Sequence, residues 1–108
     1  MIFKEKNRII YCKDKYYKNF DNIRLFHFDD DIQYYKGYII HREDGPAIEW
    51  DEGDEEWIVN GQAHREDGPA VEWCDGTEEW WLNGEHYSEE EYLKIINLMN
   101  KKKVLDEI

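Results

Sequence analysis

Two cysteines, Cys12 and Cys74, are too few for a disulfide scaffold, and each is expected as a lone reduced thiol. No apolar run approaches the ~18 residues a membrane helix needs, and Met1-Ile-Phe-Lys-Glu-Lys lacks the apolar core of a signal peptide. These absences predict a soluble protein in a reducing cytoplasm. There is no phosphate loop, nucleophile elbow or dinucleotide fingerprint. Cys12, Cys74, His27, His41, His64 and His86 show no zinc spacing. Asp29-Asp30-Asp31 and Asp51-Glu52-Gly53-Asp54 lack the alternating ligands and distal Glu of a calcium loop. No catalytic residue, metal or cofactor is therefore expected, and the chain does not read as an enzyme.

Positive charge is also scarce, and its shortage is local. The net charge is −12. Residues 1–37 hold eight Lys/Arg against six acids, residues 38–87 two against fifteen, and residues 88–108 four against five. The middle segment alone is therefore −13. Such a field repels nucleic acid and anionic lipid and steers cationic partners inward. A solvated, solubilising surface is the plainer reading of the same charge.

What the chain has in plenty is rings: five Trp, eight Tyr and four Phe in 108 residues. Each buries ~150–250 Å² from one position, which suits the thin core of a small single domain. His-Arg-Glu-Asp-Gly-Pro-Ala occurs twice, at 41–47 and 64–70, a period of 23 residues. A fixed period marks a repeat architecture. Around it, Glu52-Gly53, Asn60-Gly61, Asp75-Gly76 and Asn83-Gly84 punctuate alternating segments, the pattern of serial hairpins.

The expected organisation has three parts. Residues 1–37 are degenerate β hairpins, with strand-like runs at Ile9–Cys12, Tyr16-Tyr17 and Ile23–Phe28. A shift of one period lays Tyr11-Cys12-Lys13-Asp14 on Tyr34-Tyr35-Lys36-Gly37, and Asp21-Asn22 on Asp44-Gly45. Residues 38–87 are two clear repeats, and residues 88–103 a capping helix. Ser88-Glu89-Glu90-Glu91 is a capping box, and Tyr92, Ile95, Ile96 and Met99 form an apolar stripe. Lys101-Lys102-Lys103 suit the helix C-terminus, and Val104 to Ile108 should fray.

Two-residue turns at Glu52-Gly53 and Asp75-Gly76 set Glu49 opposite Glu56 and Glu72 opposite Glu79. One face then carries Ile48, Trp50, Trp57, Val59, Val71, Trp73, Trp80 and Leu82 as core. The other carries those four Glu with Ile58 and Trp81. Opposed like charges destabilise a sheet, so Arg42 and Arg65 are expected to lean over and neutralise them, or the face meets a cation. His41 and His64 read as structural because the whole set is duplicated. Asp44-Gly45-Pro46 and Asp67-Gly68-Pro69 read as bends in which Gly supplies positive φ. Trp81 and His86, which the copies do not share, are cross-strand neighbours across Asn83-Gly84. They resemble an interface anchor; the alternative places both under the C-terminal helix.

The frame Trp57-x-x-Asn60-Gly61-x-x-His64 … Asp75-Gly76-x-x-x-Trp80 resembles MORN repeats in period and punctuation. The doubled heptapeptide is similar to a divergent form found in proteins of bacteriophages and large DNA viruses. The resemblance covers about residues 34–100. It implies a mainly β antiparallel meander of MORN-like hairpins closed by one C-terminal α-helix. MORN modules are credited with lipid binding, scaffolding or dimerisation. The negative segment disfavours lipid, leaving protein recognition or a homo-oligomer.

The expected function is a non-enzymatic acidic binding module docking on a basic protein surface. With the viral resemblance, the partner would be a host nucleic-acid-binding defence protein in host cytoplasm, such as a CRISPR effector. Partner-binding candidates are Trp81, His86, Glu49, Glu56, Glu72 and Glu79. The alternatives are a structural scaffold and a nucleotide-sequestering protein that clamps its ligand with Arg42, Arg65, Trp50 and Trp73.

Overall fold

The computed structural model describes residues 1–15 and 32–107. The runs at Tyr16-Tyr17 and Ile23–Phe28, the Asp21-Asn22 match, His27 and Asp29-Asp30-Asp31 lie outside the described residues. The chain is mainly antiparallel β with a single C-terminal helix among them. The strands are β1 (Ile2–Lys4), β2 (Arg8–Lys15), β3 (Tyr34–Tyr35), β4 (Tyr38–Ile40), β5 (Ile48–Trp50), β6 (Glu55–Glu56), β7 (Ile58–Val59), β8 (Gln62–Ala63), β9 (Val71–Glu72), β10 (Glu78–Leu82) and β11 (Glu85–Tyr87), followed by helix α1 (Glu89–Glu107). The main sheet runs β11-β10-β9-β6-β5-β2-β4-β3, with β1 on β2; β7 and β8 pair with each other.

Each period contributes two different hairpins. One turns on Asn60-Gly61 or Asn83-Gly84, with both residues at positive φ (52° and 79°; 50° and 81°). This is the two-residue type I′ turn that Asn-Gly favours. Lys36-Gly37 repeats it at 51° and 84°, so the turn occurs a third time without its Asn. The other hairpin has a longer loop than expected. Ile48 pairs with Glu56 and Glu49 with Glu55; Glu72 pairs with Glu78 and Val71 with Glu79. The Trp50 amide donates to the Asp54 carbonyl and the Trp73 amide to that of Thr77, which leaves three residues in each loop. Only the glycines there, Gly53 and Gly76, have positive φ. A type I turn closed by one such glycine asks nothing unusual of Glu52, whereas a type I′ turn would force it to positive φ.

One residue of register turns the rest of the strand over. Glu56, Ile58, Glu79 and Trp81 therefore share a face with Ile48, Trp50, Val71 and Trp73. Glu49, Glu55, Trp57, Glu72, Glu78 and Trp80 take the other. The expected division into a tryptophan core and a glutamate surface is corrected accordingly. Energetics favour the observed register. It makes Ile58 1% exposed, in a cluster with Ile10, Cys12, Ile40, Ala47 and Ile48. Burying one such side chain is worth about 1.5–3 kcal/mol, more than the ~0.2–1 kcal/mol of a strained cross-strand pair. This cluster is thus aliphatic apart from Cys12, and all five Trp are half-buried or exposed.

The N-terminal hairpin follows the same plan in part. Tyr11 precedes Trp57 by two periods and occupies the corresponding place: Arg42 lies 4.0 Å from the Tyr11 ring centroid as Arg65 lies 3.9 Å from that of Trp57. Lys13-Asp14, which one period lays on Lys36-Gly37, makes no turn. β2 runs on through Lys15 and pairs with β4 at Cys12/Ile40 and Lys15/Tyr38. Lys-Asp has no residue that readily takes the second positive φ, so nothing breaks the strand.

α1 begins where a third heptapeptide would. One period after His64-Arg65-Glu66-Asp67-Gly68-Pro69 the chain reads Tyr87-Ser88-Glu89-Glu90-Glu91-Tyr92. Without Gly-Pro to turn it, the chain continues as helix. The Glu91 amide donates to Ser88 Oγ at 3.2 Å, and Glu91 Oε1 accepts the Ser88 amide at 3.2 Å, a complete capping box. Tyr92 is 2% exposed, stacks 4.9 Å from Trp80, donates its hydroxyl to the Arg65 carbonyl and accepts the Gly68 amide. Ile95, Ile96 and Met99 continue the packed stripe. α1 runs to Glu107 rather than fraying at Val104, and its last turn contains no basic residue, so the 101–103 run lies before the last turn rather than at the C-terminus.

Candidate functional site

The doubled heptapeptide is an internal brace. Arg42 Nε–H donates to Asp44 (3.0 Å), and its Nη1 to the Pro46 carbonyl (3.2 Å) and Glu49 (2.8 Å). Arg65 repeats all three contacts with Asp67 (3.0 Å), the Pro69 carbonyl (3.1 Å) and Glu72 (3.0 Å). Each guanidinium is sandwiched between an aromatic ring and a glycine. A Cβ on Gly45 would stand 2.8 Å from Arg42 Cζ, and one on Gly68 3.0 Å from Arg65 Cζ. Neither glycine is at positive φ. The requirement is room for the arginine, which corrects the expectation of a left-handed bend.

The two histidines join successive units. The Asn60 amide donates to His41 Nδ1 at 2.8 Å, and the Asn83 amide to His64 Nδ1 at 3.0 Å. An Nδ1 that accepts leaves the proton on Nε2, which lies 3.0 Å from Glu66 in the second copy. Each motif thus holds the type I′ turn of the hairpin that follows.

On this arginine face a row of four carboxylates crosses four strands: Glu49, Glu55, Glu72 and Glu78. Neighbours in such a row are about 4.7–4.9 Å apart in backbone spacing. Arg42 and Arg65 pair with the first and third. No ion pair reaches Glu55 or Glu78 among the described residues.

The opposite, tryptophan face carries a different arrangement. Trp50 Nε1–H donates to Glu56 (2.9 Å). Trp73 Nε1–H and Trp81 Nε1–H donate to the two oxygens of Glu79, at 2.7 and 2.9 Å. Glu56, Glu79, Trp73, Trp81, Ala63 and Gln33 help line a groove of about 290 Å³. Trp81 pairs with His86 as expected, their rings 4.9 Å apart. Neither is under α1, which packs on the other face through Trp80 and Tyr92.

The partner-binding candidates therefore divide. Trp81, Glu56 and Glu79 line the groove, with His86 beside Trp81, whereas Glu49 and Glu72 are on the far side of the sheet, each bonded to an arginine. The clamp of Arg42, Arg65, Trp50 and Trp73 is not assembled, because the sheet separates its arginines from its tryptophans. Val71, expected as core, also lines the groove, and Gln33 is a groove residue that the sequence did not single out. Gln33 comes from outside the clear repeats, and periodicity carries no signal for it.

Glu52, Asp54 and Cys74 place ligand-type atoms within 4.8 Å of one another. Asp54 Oδ1 already accepts the Cys74 amide at 2.6 Å. Its carboxylate also pushes the Cys74 thiol up, away from the thiolate that binds metal. No helix among the described residues is long and apolar enough to cross a membrane. Comparison of the chain with protein-family models, characterised proteins and solved structures found no match.

Proposed function

We propose that the protein is a non-enzymatic, acidic binding module of MORN-like hairpin repeats that docks on a basic protein surface. The observation that carries this reading is the engagement of both arginines in residues 38–87 by the chain's own carboxylates. Neither arginine is left to offset the exposed Asp51, Glu52, Asp75 and Glu78. Asp51, Glu52 and Asp75 are exposed, and Trp50, Trp73 and Trp81 on the tryptophan face are half-buried or exposed. Charge around an aromatic centre is the usual composition of a docking surface. A nucleic-acid-binding protein is the natural class of partner, with carboxylates taking the place of phosphates. The groove is at the bottom of the ~300–1,000 Å³ range of small-molecule sites, which supports a side-chain guest over a nucleotide.

The test is affinity for basic nucleic-acid-binding proteins across salt concentrations, with duplex DNA as competitor. The reading predicts binding that weakens steeply with salt and is displaced by DNA. Affinity independent of salt would sink it.

A further inference from the structure

The repeat shows what belongs on a Trp–Glu pair of the tryptophan face. In the first copy, Trp50 donates to Glu56, and Arg8 from the adjoining strand stands 4.9 Å from the Trp50 ring centroid, its backbone paired across from Trp50. The second copy repeats the pair one period later as Trp73 and Glu79. Here the neighbouring strand is β6, with Glu55 across from Glu72. Continuing that register by one residue brings Asp54, not an arginine, across from Trp73. Asp54 is two periods after Arg8.

The second unit therefore has the ring and the carboxylate but lacks the guanidinium. It has gained a second ring instead, since Trp81 stands where the first copy has Ile58. Glu79 now accepts one indole N–H on each oxygen. A carboxylate has about four acceptor positions, so two stay open on Glu79. Glu56 faces the same groove. No cation approaches Trp73 or Trp81 among the described residues, whereas Tyr11, Trp50 and Trp57 each have an arginine over the ring.

Resting on the docking reading above, we propose that this groove receives an arginine side chain of the basic partner. The guanidinium stacks on Trp73 or Trp81 and donates in its plane to Glu79 and Glu56. Arginine is favoured over lysine because its flat, weakly hydrated group can stack and donate together. Arg42 and Arg65 each lie over a ring while bonded to a carboxylate. Among the described residues the lysine found over a ring is Lys36, 5.3 Å from Tyr35 and 5.8 Å from Phe3.

The test uses two fluorescein-labelled peptides of equal charge, a Gly-Ser-Arg repeat and its Gly-Ser-Lys counterpart. Anisotropy gives their affinities for the full chain, Trp81→Ile, Glu79→Gln and, on the opposite face, Glu55→Gln. Trp81→Ile restores the residue type of the first copy, and Glu79→Gln keeps an acceptor oxygen for one of the two indoles at a half-buried site, so neither should unfold the sheet. The expected result is tighter binding of the arginine peptide, weakened about tenfold by Trp81→Ile or Glu79→Gln and less than about twofold by Glu55→Gln. Equal, salt-sensitive binding of both peptides with no groove effect overturns this proposal and leaves the acidic-module reading standing. Binding of neither peptide overturns the groove proposal as well, and salt-independent affinity for basic proteins then removes the docking reading itself.

Discussion

Replacing Arg65 with Met removes a guanidinium while leaving much of the apolar stem over Trp57. Four interactions go with it. The bond to exposed Asp67 is worth little, about 0–0.5 kcal/mol. The half-buried pair with Glu72 contributes about 0.5–1 kcal/mol, as does the stacking at 3.9 Å on Trp57. The bond to the Pro69 carbonyl adds about 1 kcal/mol. Together these predict a loss of about 2–3 kcal/mol, or roughly 10 °C in Tm for a chain this size.

The sharper consequence concerns sign. With Arg65 in place, Glu72→Gln should cost about 0.5–1 kcal/mol, because it removes half of an ion pair. Without Arg65, Glu72 is an uncompensated carboxylate between Glu55 and Glu78 in the cross-strand row. The same change should then stabilise by up to about 0.5 kcal/mol. Urea unfolding followed by tryptophan fluorescence, fitted at a common m-value, measures all four corners of the cycle. A coupling energy below about 0.3 kcal/mol, or destabilisation by Glu72→Gln in both backgrounds, would refute the counterion argument.

Three other outcomes follow from the same geometry. Gly68→Ala should destabilise by about 1–2 kcal/mol, since its Cβ would meet the pinned Arg65 guanidinium at 3.0 Å; in an Arg65→Met background the calorimetric penalty should largely disappear. Tyr92→Phe should cost about 1–2 kcal/mol in urea melts, because the Arg65 carbonyl loses its donor and the Gly68 amide its acceptor. Bonds from the Ser88 backbone and hydroxyl hold Glu91 below its usual carboxylate range. A depressed folded-state pKa means that the cap contributes fully above the ordinary Glu value and is lost as pH falls through the lowered one. Far-ultraviolet dichroism on acidification should thus show helix lost through that window, and Ser88→Ala should flatten this part of the profile.

The repeat, the capping helix and the Asn-Gly hairpins were legible because each has a local chemical signature. The roles of Arg42 and Arg65 as counterions to Glu49 and Glu72 were also readable, since charge balance needs no register. The facing of Glu56, Ile58, Glu79 and Trp81 was not. It hangs on whether Glu52-Gly53 and Asp75-Gly76 close two- or three-residue loops, and both sequences end in Gly. The available clue was Glu52, a poor residue for positive φ. Gly45 and Gly68 misled for a related reason: a glycine looks the same whether it supplies a dihedral or makes room for a neighbour. The Ile9–Cys12 run marked the middle of β2, but the strand's extension to Lys15 and the site of Arg8 were not legible, because Lys13-Asp14 carries no signal for where the strand ends.

The claim that the tryptophan face is the docking surface can be tested most directly through its indole N–H groups. Trp73 and Trp81 both donate to Glu79, so a cation bound there perturbs both protons. The measurement is a ¹⁵N–¹H correlation spectrum with the tryptophan indoles assigned, recorded while the arginine peptide is titrated in. The account predicts progressive, saturable shifts of the Trp73 and Trp81 indole resonances, with those of Trp57 and Trp80 on the opposite face unmoved. Saturable shifts confined to Trp57 and Trp80, or none at any indole while the peptide binds, would contradict it.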